Sequence, residues 1–127
     1  MDTKKNYKIF VIDDDASVCS MIESVLRHIG FDNICSFTSA LDAIEKIKEF
    51  GLPEFIFLDF LMPNMNGKKF LDLIIEKFPS NNTGFCVISG CSDLKKEDIR
   101  DSYFILKPFR IESIKEVLDD FYKKKNI

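Results

Sequence analysis

The side chains of this 127-residue chain that could do chemistry fall at four places: Asp13-Asp14-Asp15, Asp59, Ser89-Gly90 and Lys107-Pro108. Each place directly follows a short apolar run. The runs are Ile9-Phe10-Val11-Ile12, Phe55-Ile56-Phe57-Leu58, Phe85-Cys86-Val87-Ile88 and Tyr103-Phe104-Ile105-Leu106. Runs lying side by side would bring the polar residues to one rim. Two unit charges about 4 Å apart interact by roughly 4 kcal/mol at an effective dielectric near 20, so crowded carboxylates need a cation. Lys107 brings one positive charge against Asp13, Asp14 and Asp59. A hard divalent ion with oxygen ligands makes up the deficit, and Mg²⁺ suits a site that also takes a phosphoryl group. In such a pocket a carboxylate can attack phosphorus. Lys107 would then neutralise phosphoryl charge while the Ser89 hydroxyl donates a hydrogen bond. Asp59, on the central run, is best placed to be the nucleophile. The loop after it carries Pro63 and Gly67, where a tight turn is needed.

The four runs lack the alternation of a half-exposed strand and suit strands buried on both faces of a parallel sheet. A weaker fifth run, Ile34-Cys35-Ser36-Phe37, suits a sheet edge. Helical stripes lie between them: Val18, Ile22, Val25 and Ile29, stopped by Gly30; then Leu41, Ile44, Ile47 and Phe50, with Ser39 as N-cap and Gly51 as terminator. Phe70, Leu73, Ile74 and Phe78 precede Pro79, and Ile111, Ile114, Val117, Leu118 and Phe121 close the series. The stretch from Asp93 to Asp101 has only Leu94 and Ile99 as large apolar residues, which fits two turns of helix or a loop. Alternating strands and helices imply right-handed crossovers and a doubly wound α/β sandwich. Ligands bind such sheets beyond the carboxyl ends of the strands, near the reversal of strand order.

The motifs Val11-Ile12-Asp13-Asp14-Asp15, Leu58-Asp59-Phe60-Leu61-Met62-Pro63-Asn64-Met65-Asn66-Gly67, Ile88-Ser89-Gly90 and Lys107-Pro108-Phe109 together resemble a response-regulator receiver domain of two-component signalling. The resemblance runs in order over essentially the whole chain and implies one receiver domain over residues 1–127. It implies a flavodoxin-like, five-stranded parallel sheet of order 2-1-3-4-5. By the same resemblance Asp59 is the phosphoacceptor. Asp14 and Asp59 would ligate Mg²⁺ directly with the Leu61 backbone carbonyl, and Asp13 would act mainly through a water. Ser89 takes the switch hydroxyl position, Lys107 contacts the phosphoryl group, and the Lys107-Pro108 bond would be cis. Asp15 is expected to supply N-terminal helix charge. A histidine kinase or phosphotransfer protein would be the donor, and a downstream protein or a paired receiver the target.

Three departures from that pattern matter. Phe104 takes the switch-aromatic position but lacks the hydroxyl of a Tyr, and Tyr103 should face the other side of the strand. The interval from Ser89 to Lys107 is short by roughly one helical turn, so the fourth helix should be truncated, tilted or unfolded. That region belongs to the face, made with the fifth strand and fifth helix, through which receivers usually meet partners. Leu61 and Cys91 lie two residues beyond Asp59 and Ser89, where neither side chain orients a hydrolytic water, so self-dephosphorylation should be slow.

Composition agrees with one globular domain. The net charge of −3 (18 basic, 21 acidic residues) gives no basic stripe for nucleic acid. No secretory leader or membrane span is visible, and the four cysteines have no metal-type spacing with His28, so a reduced cytoplasm is expected. His28 reads as a surface cation at a helix end, and Lys123-Lys124-Lys125 as a solvated tail. The lack of a hydrophobic linker-helix pattern over residues 122–127 favours a free-standing module over a receiver cut from a longer protein. By the resemblance the chain is not an enzyme and catalyses only its own phosphorylation and dephosphorylation. The competing reading takes Asp13-Asp14-Asp15-Ala16-Ser17 as the DxDxS motif of a haloacid-dehalogenase-like phosphatase, with Asp13 as nucleophile and Asp15 as general acid. The chain is short for that fold and lacks its late acidic pair. A flavodoxin-like electron carrier would need a Ser/Thr/Gly-rich phosphate loop after the first strand.

Overall fold

The protein is described by a computed structural model over residues 6–125; residues 1–5 and 126–127, on which parts of the leader and tail readings rest, lie outside the described residues. The elements run β1 (Lys8–Ile12), α1 (Ala16–His28), β2 (Asn33–Phe37), α2 (Ala40–Phe50), β3 (Phe55–Asp59), α3 (Gly67–Lys77), β4 (Gly84–Ser89), α4 (Lys96–Ile99), β5 (Tyr103–Leu106) and α5 (Ile111–Lys125). All strand pairs are parallel and the order is β2-β1-β3-β4-β5, as expected. The order reverses between β1 and β3, which opens the crevice where Asp13 and Asp59 stand.

Strand residues alternate between two cores because successive side chains point to opposite faces. Ile9, Val11, Phe55, Phe57, Cys86 and Ile88 pack under α1 and α5. Phe10, Ile12, Ile56, Leu58 and Val87 pack under α2 and α3, with Leu94 and Ile99 against them. Phe55 and Phe57 are fully buried, and burying a side chain of that size contributes about 2–3 kcal/mol. The apolar run of β3 is therefore what fastens Asp59 to the centre of the sheet.

The helical faces differ from the expected stripes by a residue or two. In α2 the buried residues are Ala40, Ala43, Ile44 and Ile47, while Leu41 and Phe50 stay about half exposed or more (49% and 59%). Small alanines let α2 approach the sheet, and they carry the face that larger residues seemed to claim. The Lys46 ammonium lies 4.9 Å from the centre of the Phe50 ring. Ser39 has the extended backbone of an N-cap but no side-chain cap bond, and Gly51 ends the helix at φ 88°. In α5 only Ile114 and Leu118 are fully buried, and Ile111 is exposed. Lys123, Lys124 and Lys125, expected as a tail, form the last turn of α5, where their charge suits the helix C-terminus. His28 is the last, exposed residue of α1.

One strand breaks the expectation of burial on both faces. In β5, Ile105 is buried, but Phe104 is 37% and Leu106 46% exposed. The cause is α4, a single turn that leaves the outer side of this edge strand uncovered. Its start is closed by the Asp98 carboxylate accepting from the Lys95 amide. It stops because Arg100 and Asp101 both turn into the left-handed region, at φ 53° and 64°.

Candidate functional site

Asp13 follows the last residue of β1 and is buried. Its amide donates to the Phe37 carbonyl (3.0 Å) and its own carbonyl accepts the Cys19 thiol (3.4 Å). Burial first, then the Asp13 charge, push the Cys19 thiol up to about 11, so it stays a protonated donor. The Asp13 carboxylate accepts the Asp15 amide at Oδ1 (2.9 Å) and faces the Lys107 ammonium at Oδ2 (3.4 Å). Asp14 is exposed, beside a cavity also lined by Ser39, Met62 and Asn64. Asp15 caps α1: its carboxylate accepts from the Ser17 amide (2.9 Å) and hydroxyl (2.6 Å).

Asp59 ends β3 and is buried, with Oδ1 3.3 Å from Lys107. The loop after it is held at both ends. The Phe60 amide donates to the Ile88 carbonyl (2.9 Å), and the Gly67 amide to the Phe60 carbonyl (2.7 Å). A Cβ on Gly67 would come within 2.8 Å of the Phe60 ring, so the closure needs glycine for space. Asn66 then caps α3 by accepting from the Lys69 amide. Leu61, inside this loop, turns its side chain to solvent, 63% exposed. Ser89 ends β4, buried, with Oγ accepting the Cys91 amide (3.0 Å). Lys107 is tied to β4 through its amide and the Ser89 carbonyl (2.7 Å), and the Lys107-Pro108 bond is cis.

The rim thus gathers residues far apart in the chain. One oxygen each of Asp13, Asp14 and Asp59 lie within 4.8 Å of one another. Lys107 bridges Asp13 and Asp59, so three carboxylates face one ammonium. Burial, then the neighbouring Asp13 charge, push Asp59 up to about 6 despite Lys107. Burial likewise raises Asp13, against the pull of the Asp15 amide and Lys107. Burial works against the Lys107 charge, but the two carboxylates outweigh it and raise its pKa. Three hard oxygen donors with excess negative charge fit a divalent cation of the Mg²⁺ class.

Phe104 stands apart from this group on the outer side of β5. Tyr103 faces the other way, as alternation requires, against the α1/α5 core, with its hydroxyl on Asp120 of α5 (2.5 Å). Burial, then this bond, push its phenol up to about 12. Sequence reasoning missed the ties that hold Asp13, though Asp15 two residues before Ser17 at a helix start is a readable cap signal. It also missed the ion pair of Asp72 with Arg100 (2.9 Å), which joins the end of α4 to α3, where Lys68 of α3 also meets Asp72 (3.1 Å). No spacing pattern announces a pair 28 residues apart.

Among the described residues no helix is long and apolar enough to cross a membrane. The response regulator receiver domain pattern matches residues 9–119. The chain is 28% identical over 114 residues to the chemotaxis protein CheY of Listeria monocytogenes, covering 88% of this chain and 95% of that protein. It is 28% identical over 126 residues to the chemotaxis protein CheY-3 of Vibrio cholerae, covering 94% and 95%. The receiver domain of the Francisella response regulator 1452 shares its fold, at TM-score 0.80 and 21% identity over 94% of this chain and 98% of that one. With the strand order, the rim and a match over most of its length, the chain belongs to the response regulator receiver domain family.

Proposed function

We propose that this chain is a single receiver domain that takes a phosphoryl group on Asp59 from a phosphohistidine of a histidine kinase or phosphotransfer protein. The observation that carries the reading is the convergence of Asp59 with Asp13, Asp14 and Lys107 at the reversal of strand order. An Asp59 oxygen attacks phosphorus, the donor P–N bond breaks, and an acyl phosphate forms. With a carboxyl near 6, Asp59 is ionised at neutral pH yet more basic than an ordinary carboxylate. Lys107 faces the charge gathering on the phosphoryl oxygens, and the Ser89 hydroxyl donates to one of them. Asp13, Asp14, Asp59 and the Leu61 carbonyl would hold Mg²⁺, which supplies further neutralisation of that charge when bound. Asp13 serves this site better as a fixed carboxylate than as a nucleophile, since both its oxygens are already engaged. The chain modifies only itself in this reading, and a cytoplasmic location goes with it. Ser89 and Phe104 then pass the change to a downstream protein or a second receiver.

Incubation with Mg²⁺ and acetyl phosphate should place a hydroxylamine-sensitive phosphate on Asp59 and none on Asp59→Asn. Once donor is removed, the label should outlast seconds, because Leu61 and Cys91 orient no water. Label on Asp13, or turnover of phosphate esters, would overturn the assignment.

A further inference from the structure

We infer that Asp15, the third acidic residue of the run, is a positioning residue for the cation site and acts through Asp13. The inference rests on the reading of Asp13, Asp14 and Asp59 as a site for Mg²⁺ and phosphoryl. Asp13 has four ties: its amide to Phe37, its carbonyl to Cys19, Oδ1 to the Asp15 amide and Oδ2 to Lys107. The first two fix the backbone and leave the carboxylate free to rotate. Lys107, at 3.3–3.4 Å from two carboxylates, sits at the long edge of hydrogen-bond range and sets no plane. The Asp15 amide, at 2.9 Å, is therefore the contact that orients the Asp13 carboxylate.

That amide points correctly only while the β1–α1 turn keeps its shape. Asp15 has extended backbone (φ −96°, ψ 108°), and its carbonyl already accepts the amides of Val18 and Cys19. Its carboxylate accepts both the amide and the hydroxyl of Ser17 at Oδ1 and locks that turn. One residue thus uses its side chain to hold a helix start and its main chain to aim a carboxylate. Charge at this position is incidental to the aiming, whereas a short capping oxygen is required.

Mg²⁺ titration followed by backbone amide NMR separates the possibilities, because the spectrum also reports whether each variant is folded. Asp15→Ala and Asp15→Glu, which lose the short cap, should weaken Mg²⁺ binding by roughly threefold to tenfold, less than the tenfold or more typical of deleting a partner bonded to a metal ligand. Asp15→Ser, an uncharged cap, should stay within about twofold of the parent, since Ser is as good an N-cap as Asp. Weakened binding in Asp15→Ser with normal binding in Asp15→Glu would mean that Asp15 acts by charge. Unchanged affinity in a thermally destabilised Asp15→Ala would leave it a cap alone. Either result overturns the inference. Asp59→Asn and Asp14→Asn serve as controls: if both bind Mg²⁺ like the parent, the site reading itself fails. If both lose binding while Asp15→Ala keeps it, only the role of Asp15 falls.

Discussion

The acidic rim and the segment from residue 90 to 102 lie next to each other, yet they are built on opposite principles. At the rim Asp13 and Asp59 are buried at the ends of central strands whose apolar side chains are covered, and Lys107 bridges them, while Asp14 is exposed. The neighbouring segment contains one turn of helix with no fully buried residue, fastened through Leu94, Ile99 and the Arg100–Asp72 pair. Its two left-handed residues cost roughly 1–2 kcal/mol each by the steric penalty on that conformation. The rim is held rigid by packing that opposes its own charge repulsion, whereas the segment beside it is held by little. If the rim changes charge as proposed, this segment is where the change should be felt first.

Removing the rim's cation should have the largest effect. Lys107→Ala leaves Asp13 and Asp59 buried and unopposed, which should lower chemical-denaturation stability by about 1–3 kcal/mol, below the usual cost of breaking a buried pair because Lys107 is partly exposed. Mg²⁺ should restore part of that loss; equal loss with and without Mg²⁺ would break the comparison.

The pH dependence follows from Asp59. Its folded value, about 6, lies above the ordinary 3.8, so between them the folded state holds a proton that the unfolded chain has released. Stability of metal-free protein should therefore fall as pH rises through about 4 to 6 and level off above. In Asp59→Asn the fall should shrink, as read from melting curves at each pH.

On the yielding side, Phe104→Ala should weaken binding of the phosphorylated protein to its target by roughly tenfold, the scale of one aromatic contact point. Phosphorylation of Asp59 should be unaltered. Unchanged binding removes Phe104 from the relay. The smallest effect belongs to Asp72→Asn, which loosens an exposed pair and should cost less than about 1 kcal/mol. Its signature is faster amide hydrogen exchange confined to residues near Arg100, and exchange faster at the rim would count against the division.

Much of this was legible before any coordinates. Continuous apolar runs announce buried parallel strands because both faces must be covered, and the polar residues after them mark the ligand end of the sheet. The run in β5 misled, since Tyr103 to Leu106 reads as doubly buried while half of it faces outward. Nothing local in those four residues says that the covering helix is one turn long. The stripes of α1 and α2 shifted for a similar reason: Cys19, Ala40 and Ala43 are small, and their burial depends on how closely a helix approaches the sheet.

The sequence by itself determined the element order, the two-sided core and which residues reach the rim, because hydrophobic periodicity and chain order act locally. Only the tertiary structure decided how those residues meet. The Lys107 bridge, the raised Asp59, the Asp15 amide on Asp13 and the Arg100–Asp72 fastening are matters of distance and burial. Electrostatic and hydrogen-bond energies depend on ångströms and on solvent exclusion, and neither is written in spacing along a chain.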